Sequence, residues 1–291
     1  MFYIGKLPFV SERHTVIKID FTATMMGRRP PSETLRYGNV SEKCYFESYA
    51  RTSIHRDMIK DRIRTETYRN AMYHNKHLFK DKIVLDVGCG TGILSMFAAR
   101  AGARKVIGVE FSDFAIIARK VVRDNNLADI VTIVHGKVED IQLPDDVEKV
   151  DVIVSEWMGY CLFYESMLDS VLFARDKWLV EDGVMFPDQV SLHLCGIHDN
   201  RDYAKTLTHN NYDLDLKSMN SLVLAEPDVR RIDRGQVITE TALVKEFDLQ
   251  KERIEDIEFR TNFKLKALKS DRLVVSSFLS YHNMLKMIPL L

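Results

Sequence analysis

From Ile83 to Leu179 the hydrophobic period switches repeatedly between that of a strand and that of a helix, and no other feature narrows the possible folds as much. The runs Ile83–Val87, Lys105–Glu110, Ile130–His135 and Val150–Ser155 read as buried strands. Between and after them, Ile93–Arg100, a stretch from Ser112 to about Asn125, and Glu165–Leu179 carry helical spacing. Gly102 stops the first of these helices, and Ser112 can cap the second. Strands that alternate with helices in this way predict an α/β fold with a parallel, doubly wound sheet. Ahead of the block, Ile54, Met58, Ile59 and Ile63 line one face of a helical stretch over 54–79.

After Phe186-Pro187 the pattern changes. Val190–Ile197, Val237–Phe247, Ile257–Leu268 and Leu273–Ser280 are strand-like, with no helix between most of them, which predicts a second, antiparallel domain. Residues 198–230 are polar and poorly periodic, a long excursion rather than a tight loop. Gly27-Arg28-Arg29-Pro30-Pro31 reads as a linker, so residues 1–43 are expected to be a flexible N-terminal segment.

The chain has 291 residues, enough for one large or two ordinary domains. Its 41 basic and 42 acidic residues leave a formal charge of −1, with no global pull toward nucleic acid or an anionic membrane. Cys44, Cys89, Cys161 and Cys195 are far apart and form no CxxC pair, so free thiols are expected rather than a disulfide framework or a zinc site. No apolar run is long enough to span a bilayer, and the N-terminus lacks the basic region of a signal peptide. The expected address is nucleus and cytoplasm.

Two loops carry the chemistry. The first is Gly88-Cys89-Gly90-Thr91-Gly92, between a strand and a helix, where glycines let a ligand approach the backbone. Its spacing is not G-x-G-x-x-G, so a pyrophosphate cradle is not the obvious reading. Glu110 ends the next strand, where an acid typically takes ribose hydroxyls. Glu139 follows the third strand, in reach of an adenine amine. The second loop is Ser155-Glu156-Trp157-Met158-Gly159-Tyr160-Cys161-Leu162-Phe163-Tyr164-Glu165. Two carboxylates among aromatic side chains suit a planar guanidinium, which stacks and takes forked hydrogen bonds. An adenosine ligand without phosphates, beside an acidic pocket, points to S-adenosylmethionine.

With Tyr45-Phe46-x-x-Tyr49, Val84–Gly92, Gly136–Glu139 and Ser155–Glu165 together, the chain resembles the type I protein arginine methyltransferases, close to their predominant eukaryotic member. The resemblance runs from about Cys44 to Tyr281. It implies a Rossmann-like S-adenosylmethionine-binding domain over 44–187, then a partial antiparallel β-barrel substrate domain over 188–291 with a dimerisation arm at about 198–227. It implies cofactor contacts from Tyr49, His55, Met58, Arg64, Asp86, Gly88, Glu110 and Glu139, Arg64 pairing with the methionine carboxylate. Tyr49, Met58 and Met167 match the substrate pocket. Glu156 and Glu165 match the paired catalytic acids. Their need is physical: two unit charges ~4 Å apart repel by ~4 kcal/mol at an effective dielectric of ~20. A guanidinium facing a sulfonium meets that repulsion, and fixed carboxylates offset it. No metal is required. The implied products are mono- and asymmetric dimethylarginine, made on Arg-Gly-rich segments or histone tails by a homodimer, with no direct nucleic-acid or membrane partner.

The sequence also departs from the family. Ser53 stands where a glycine is usual, and the arm lacks the usual tryptophans. After Leu279-Ser280-Tyr281 the family continues with further barrel strands and a Thr-His-Trp loop, a motif absent from this sequence; Asp61 matches the acid that pairs with that histidine. This motivates an alternative expectation: a catalytically weak or inactive truncated form acting as an interaction or regulatory partner of a full-length relative.

Overall fold

Five parallel strands form the central sheet of a doubly wound α/β unit: β2 (Ile83–Val87), β3 (Lys105–Glu110), β4 (Val131–His135), β5 (Val150–Val154) and β6 (Leu179–Phe186), in the order β4-β3-β2-β5-β6. The computed structural model describes residues 16–23, 49–159, 162–163, 167–198, 214–216, 218, 232–257, 259–270 and 274–283. Helices α3 (Ile93–Arg100), α4 (Phe114–Asp124) and α5 (Met167–Trp178) form the crossovers after β2, β3 and β5. Strands β2 and β3 are buried along almost their whole length, as Val- and Ile-rich strands must be when helices cover both faces. Tyr68, Met72, Phe79, Val84, Ala98 and Val106 belong to one buried cluster under this sheet.

Three readings of the sequence change. The helical stretch over 54–79 is two helices, α1 (Thr52–Lys60) and α2 (Arg62–His74), followed by a short 3-10 turn. The break is at Asp61, whose ψ of 86° leaves the helical region and whose side chain accepts from the Arg64 backbone N–H, capping α2. Strand β6 leaves no clear trace in the sequence because Glu181 and Asp182 interrupt its apolar run; both are exposed beside a register shift against β5. Within the segment read as a flexible extension, Val16–Ala23 forms strand β1, paired antiparallel with β9 (Phe259–Lys266). The register sets Ile17 against Leu265 and Ile19 against Phe263, while Lys18 faces Lys264 and Asp20 faces Asn262. Apolar positions of the two strands are in phase, which fixes the pairing.

The chain divides into two compact units, one holding the described residues of 27–190, 247–257 and 281–291, the other those of 1–26, 191–246 and 258–280. The second unit carries the β1-β9 pair and a three-stranded sheet in which β7 (Gln189–Ile197) lies between β10 (Val274–Asn283) and β8 (Ala242–Asp248). Antiparallel bridges join Ile197 to Val237 and Thr239 to Ala267. Among the described residues no helix is long and apolar enough to cross a membrane.

Candidate functional site

The strand order places β2 and β5 side by side while their crossovers leave in opposite directions, β2 toward β3 and β5 toward β6. Such a switch point opens a crevice at the carboxyl ends of the strands. Here the two loops that follow β2 and β5 are the glycine-rich and the acidic loop. They are tied together at the base: the Ser155 hydroxyl donates to the Val87 carbonyl at 2.7 Å.

The glycine loop needs its glycines. Gly88, Gly90 and Gly92 have φ of 71°, 53° and 76°, left-handed values that a side chain strains. Space is also short. A Cβ on Gly88 would clash with Met167 Cε, and one on Gly90 would stand 3.3 Å from the His55 ring. These two approaches bring Met167 of α5 and His55 of α1 against the loop. His55 is buried, stacks on Phe114 with ring centroids 3.6 Å apart, and donates from Nε2 to the Tyr49 carbonyl at 2.7 Å. Met58, also on α1, is half-buried.

Three acids lie in or just after strands β2, β3 and β4. Glu110 ends β3, buried, and accepts from the Gly90 N–H at 2.9 Å and the Ser112 N–H at 2.8 Å. Each carboxylate oxygen has a second lone pair, so capacity for a diol remains. Glu139 accepts from the Ser170 hydroxyl at 2.6 Å through Oε1, and its buried Oε2 has no hydrogen-bond partner among the described residues. Asp86 lies beneath the loop rather than in it. It is 1% exposed, accepts from the Ser95 hydroxyl at 2.6 Å through Oδ2, and has no partner for Oδ1 among the described residues. Burial pushes its carboxyl up from 3.8 to about 7, against the opposing Ser95 hydrogen bond. Left-handed glycines, a ribose-competent acid and a buried acceptor in want of a donor fit an adenosine-type group.

On the acidic side, Glu156 follows Ser155 directly and is joined to α2. Arg64 Nη1 donates to Glu156 Oε2 at 2.7 Å, with both side chains less than a third exposed. This pairing was not legible in the sequence, because 92 residues separate the partners. Trp157, Leu162 and Phe163 of the same loop are buried. Tyr68 is also buried, and its hydroxyl donates to the Ser155 carbonyl at 2.9 Å. Neither Tyr68 nor Ser155 stood out as functional in the sequence; the available signal was that Tyr68 lies one helical turn beyond Arg64. The second acid, Glu165, lies outside the described residues, as do Tyr45 and Phe46.

Known proteins match both parts of the chain. The family described as the arginine methyltransferase oligomerization subdomain matches residues 188–286, and the methyltransferase domain matches 84–183. Protein arginine N-methyltransferase 1 of Caenorhabditis elegans is 51% identical over 236 residues, 80% of this chain and 68% of the relative. Protein arginine N-methyltransferase 8-B of Danio rerio is 49% identical over 247 residues, 84% of this chain and 58% of the relative. The chain thus spans between 58% and 68% of the length of these two relatives. Among solved structures, the Trypanosoma brucei PRMT1 enzyme-prozyme heterotetrameric complex with AdoHcy matches with a TM-score of 0.71 and 44% identity, covering 80% of this chain and 78% of that one.

Proposed function

The chain belongs to the protein arginine N-methyltransferases, whose chemistry is S-adenosylmethionine-dependent methylation of arginine, and we propose that its two juxtaposed loops divide that reaction between them. When bound, S-adenosylmethionine supplies an electrophilic methyl group on a sulfonium. Glu110 would accept from the ribose hydroxyls, and Glu139 would accept from the adenine amine. His55, Met58 and Tyr49 cover the loop, with Gly88 allowing close backbone approach and Asp86 supporting it from below. Arg64 receives the methionine carboxylate; its guanidinium has five N–H donors, so a bond to Glu156 does not exhaust it.

Glu156 and Glu165 hold the substrate guanidinium, draw positive charge from the attacking nitrogen and align it. Met58 and Met167 flank the acceptor with slim, flexible side chains. That leaves room for a second methyl on the same nitrogen, giving mono- and asymmetric dimethylarginine. The observation that carries this reading is the Ser155–Val87 hydrogen bond, which sets the acid loop at the edge of the glycine loop.

Arg-Gly-rich segments and histone tails are the substrates this reading favours, in nucleus and cytoplasm. The oligomerization-subdomain match supports assembly, which we assign to a homodimer formed through 198–227. Incubating the chain with methyl-labelled S-adenosylmethionine and an Arg-Gly repeat peptide tests the proposal. Label recovered as methylarginine is the expected result. Intact cofactor binding with no labelled arginine would overturn it.

A further inference from the structure

We propose that Tyr68 is a positioning residue for methyl transfer, fixing where Glu156 stands without touching substrate or cofactor. The inference rests on Glu156 as the guanidinium acceptor. Tyr68 sits on α2 and is 1% exposed. Its hydroxyl donates to the carbonyl of Ser155, the residue next to Glu156, at 2.9 Å, and lies 4.0 Å from Met158 Sδ. One helical turn earlier, Arg64 holds the Glu156 carboxylate itself. One face of α2 therefore grips consecutive residues of the acidic loop, the first through its backbone and the second through its side chain.

Ser155 completes the device. Its N–H donates to the Phe186 carbonyl at 3.0 Å, and its hydroxyl donates to the carbonyl of Val87, the residue before Gly88. A displacement of the Ser155 peptide is thus felt at the adjoining Glu156. Tyr68 fits a donor's role. Burial, and then the Glu156 carboxylate, push its phenol well above the ordinary range, so the proton stays on the oxygen. A phenylalanine would fill the same space. The hydroxyl's short bond is to a carbonyl at the base of the acid.

Tyr68→Phe in the full chain isolates that bond. The expected result is a fall in kcat on an Arg-Gly peptide of about ten- to a hundredfold, the scale of a misplaced reacting group. Affinity for S-adenosylmethionine, read by calorimetry, should stay within about twofold, since the variant leaves Glu110 and Glu139 alone. Amide hydrogen exchange should quicken over 155–159 and not over β2 or β3. Ser155→Ala provides a second test from the other side of the same peptide, and should lower kcat in the same direction. An unchanged kcat in folded Tyr68→Phe overturns the proposal. So does a parallel loss of cofactor affinity with faster exchange throughout the sheet, which would mark Tyr68 as a general core residue. If the wild-type chain transfers no methyl to arginine, both the assignment of Glu156 and this inference fall. If wild type and variant transfer equally, only the role of Tyr68 falls.

Discussion

Asp86 shows what burial does to a single residue. Its carboxyl is enclosed, with one oxygen on Ser95 and the other unpartnered among the described residues, and burial raises it from 3.8 to about 7. Below about pH 4 the group is neutral in both folded and unfolded chains and has no effect. Between about 4 and 7 it is neutral when folded and ionised when unfolded, so stability falls as pH rises; above 7 the penalty is complete. Asp86→Asn cannot ionise. Urea titrations should therefore show the variant gaining on wild type by roughly 3 kcal/mol between pH 5 and pH 8. A difference that does not change with pH would contradict the burial account. The sequence marked Asp86 through its place in the Val84–Gly92 motif. It did not reveal that the side chain turns toward Ser95, because i to i+9 pairing across a turn leaves no periodic trace.

At the scale of elements, the sheet was legible and its joints were not. Strands β2, β3 and β5 announced themselves as Val- and Ile-rich runs because both of their faces are covered. The α1–α2 break was hidden because Asp61 lies between two helices whose apolar positions run on nearly in phase. Gly108, in the middle of β3, tests how tightly the layers meet. A Cβ there would stand 2.8 Å from Ile133 Cδ1, 2.9 Å from Ser95 Oγ and 3.0 Å from Cys89 Sγ. Gly108→Ala should therefore destabilise the chain by about 1–3 kcal/mol, as overpacking does. It should also weaken S-adenosylmethionine binding, since Cys89 belongs to the glycine loop. A urea midpoint indistinguishable from wild type would show that the neighbours yield freely. Strand β1 is the opposite case to β2: its alternation is clear in retrospect, but its partner lies more than two hundred residues along the chain, and only the register with β9 makes it a strand.

For the whole molecule, the two family matches fall on consecutive parts of the sequence, 84–183 for methyl transfer and 188–286 for oligomerization. The α/β class and the change of character after Pro187 were readable from hydrophobic period alone. That the two loops meet follows in the sequence from ligand chemistry and family resemblance; its physical cause is the β4-β3-β2-β5-β6 order, a property of the assembled sheet. The central claim is that the β2 loop holds the methyl donor while Glu156, on the β5 loop, holds the acceptor. One comparison tests that division most directly: wild type against Glu156→Gln, with S-adenosylmethionine affinity and methyl transfer to an Arg-Gly peptide measured on the same preparations. The account predicts that transfer falls by about 10²- to 10³-fold, the scale of losing one preorganised electrostatic partner. Cofactor affinity should change by no more than a few fold, through Arg64. Transfer that survives at the wild-type rate, or that falls only in proportion to lost cofactor binding, would contradict it.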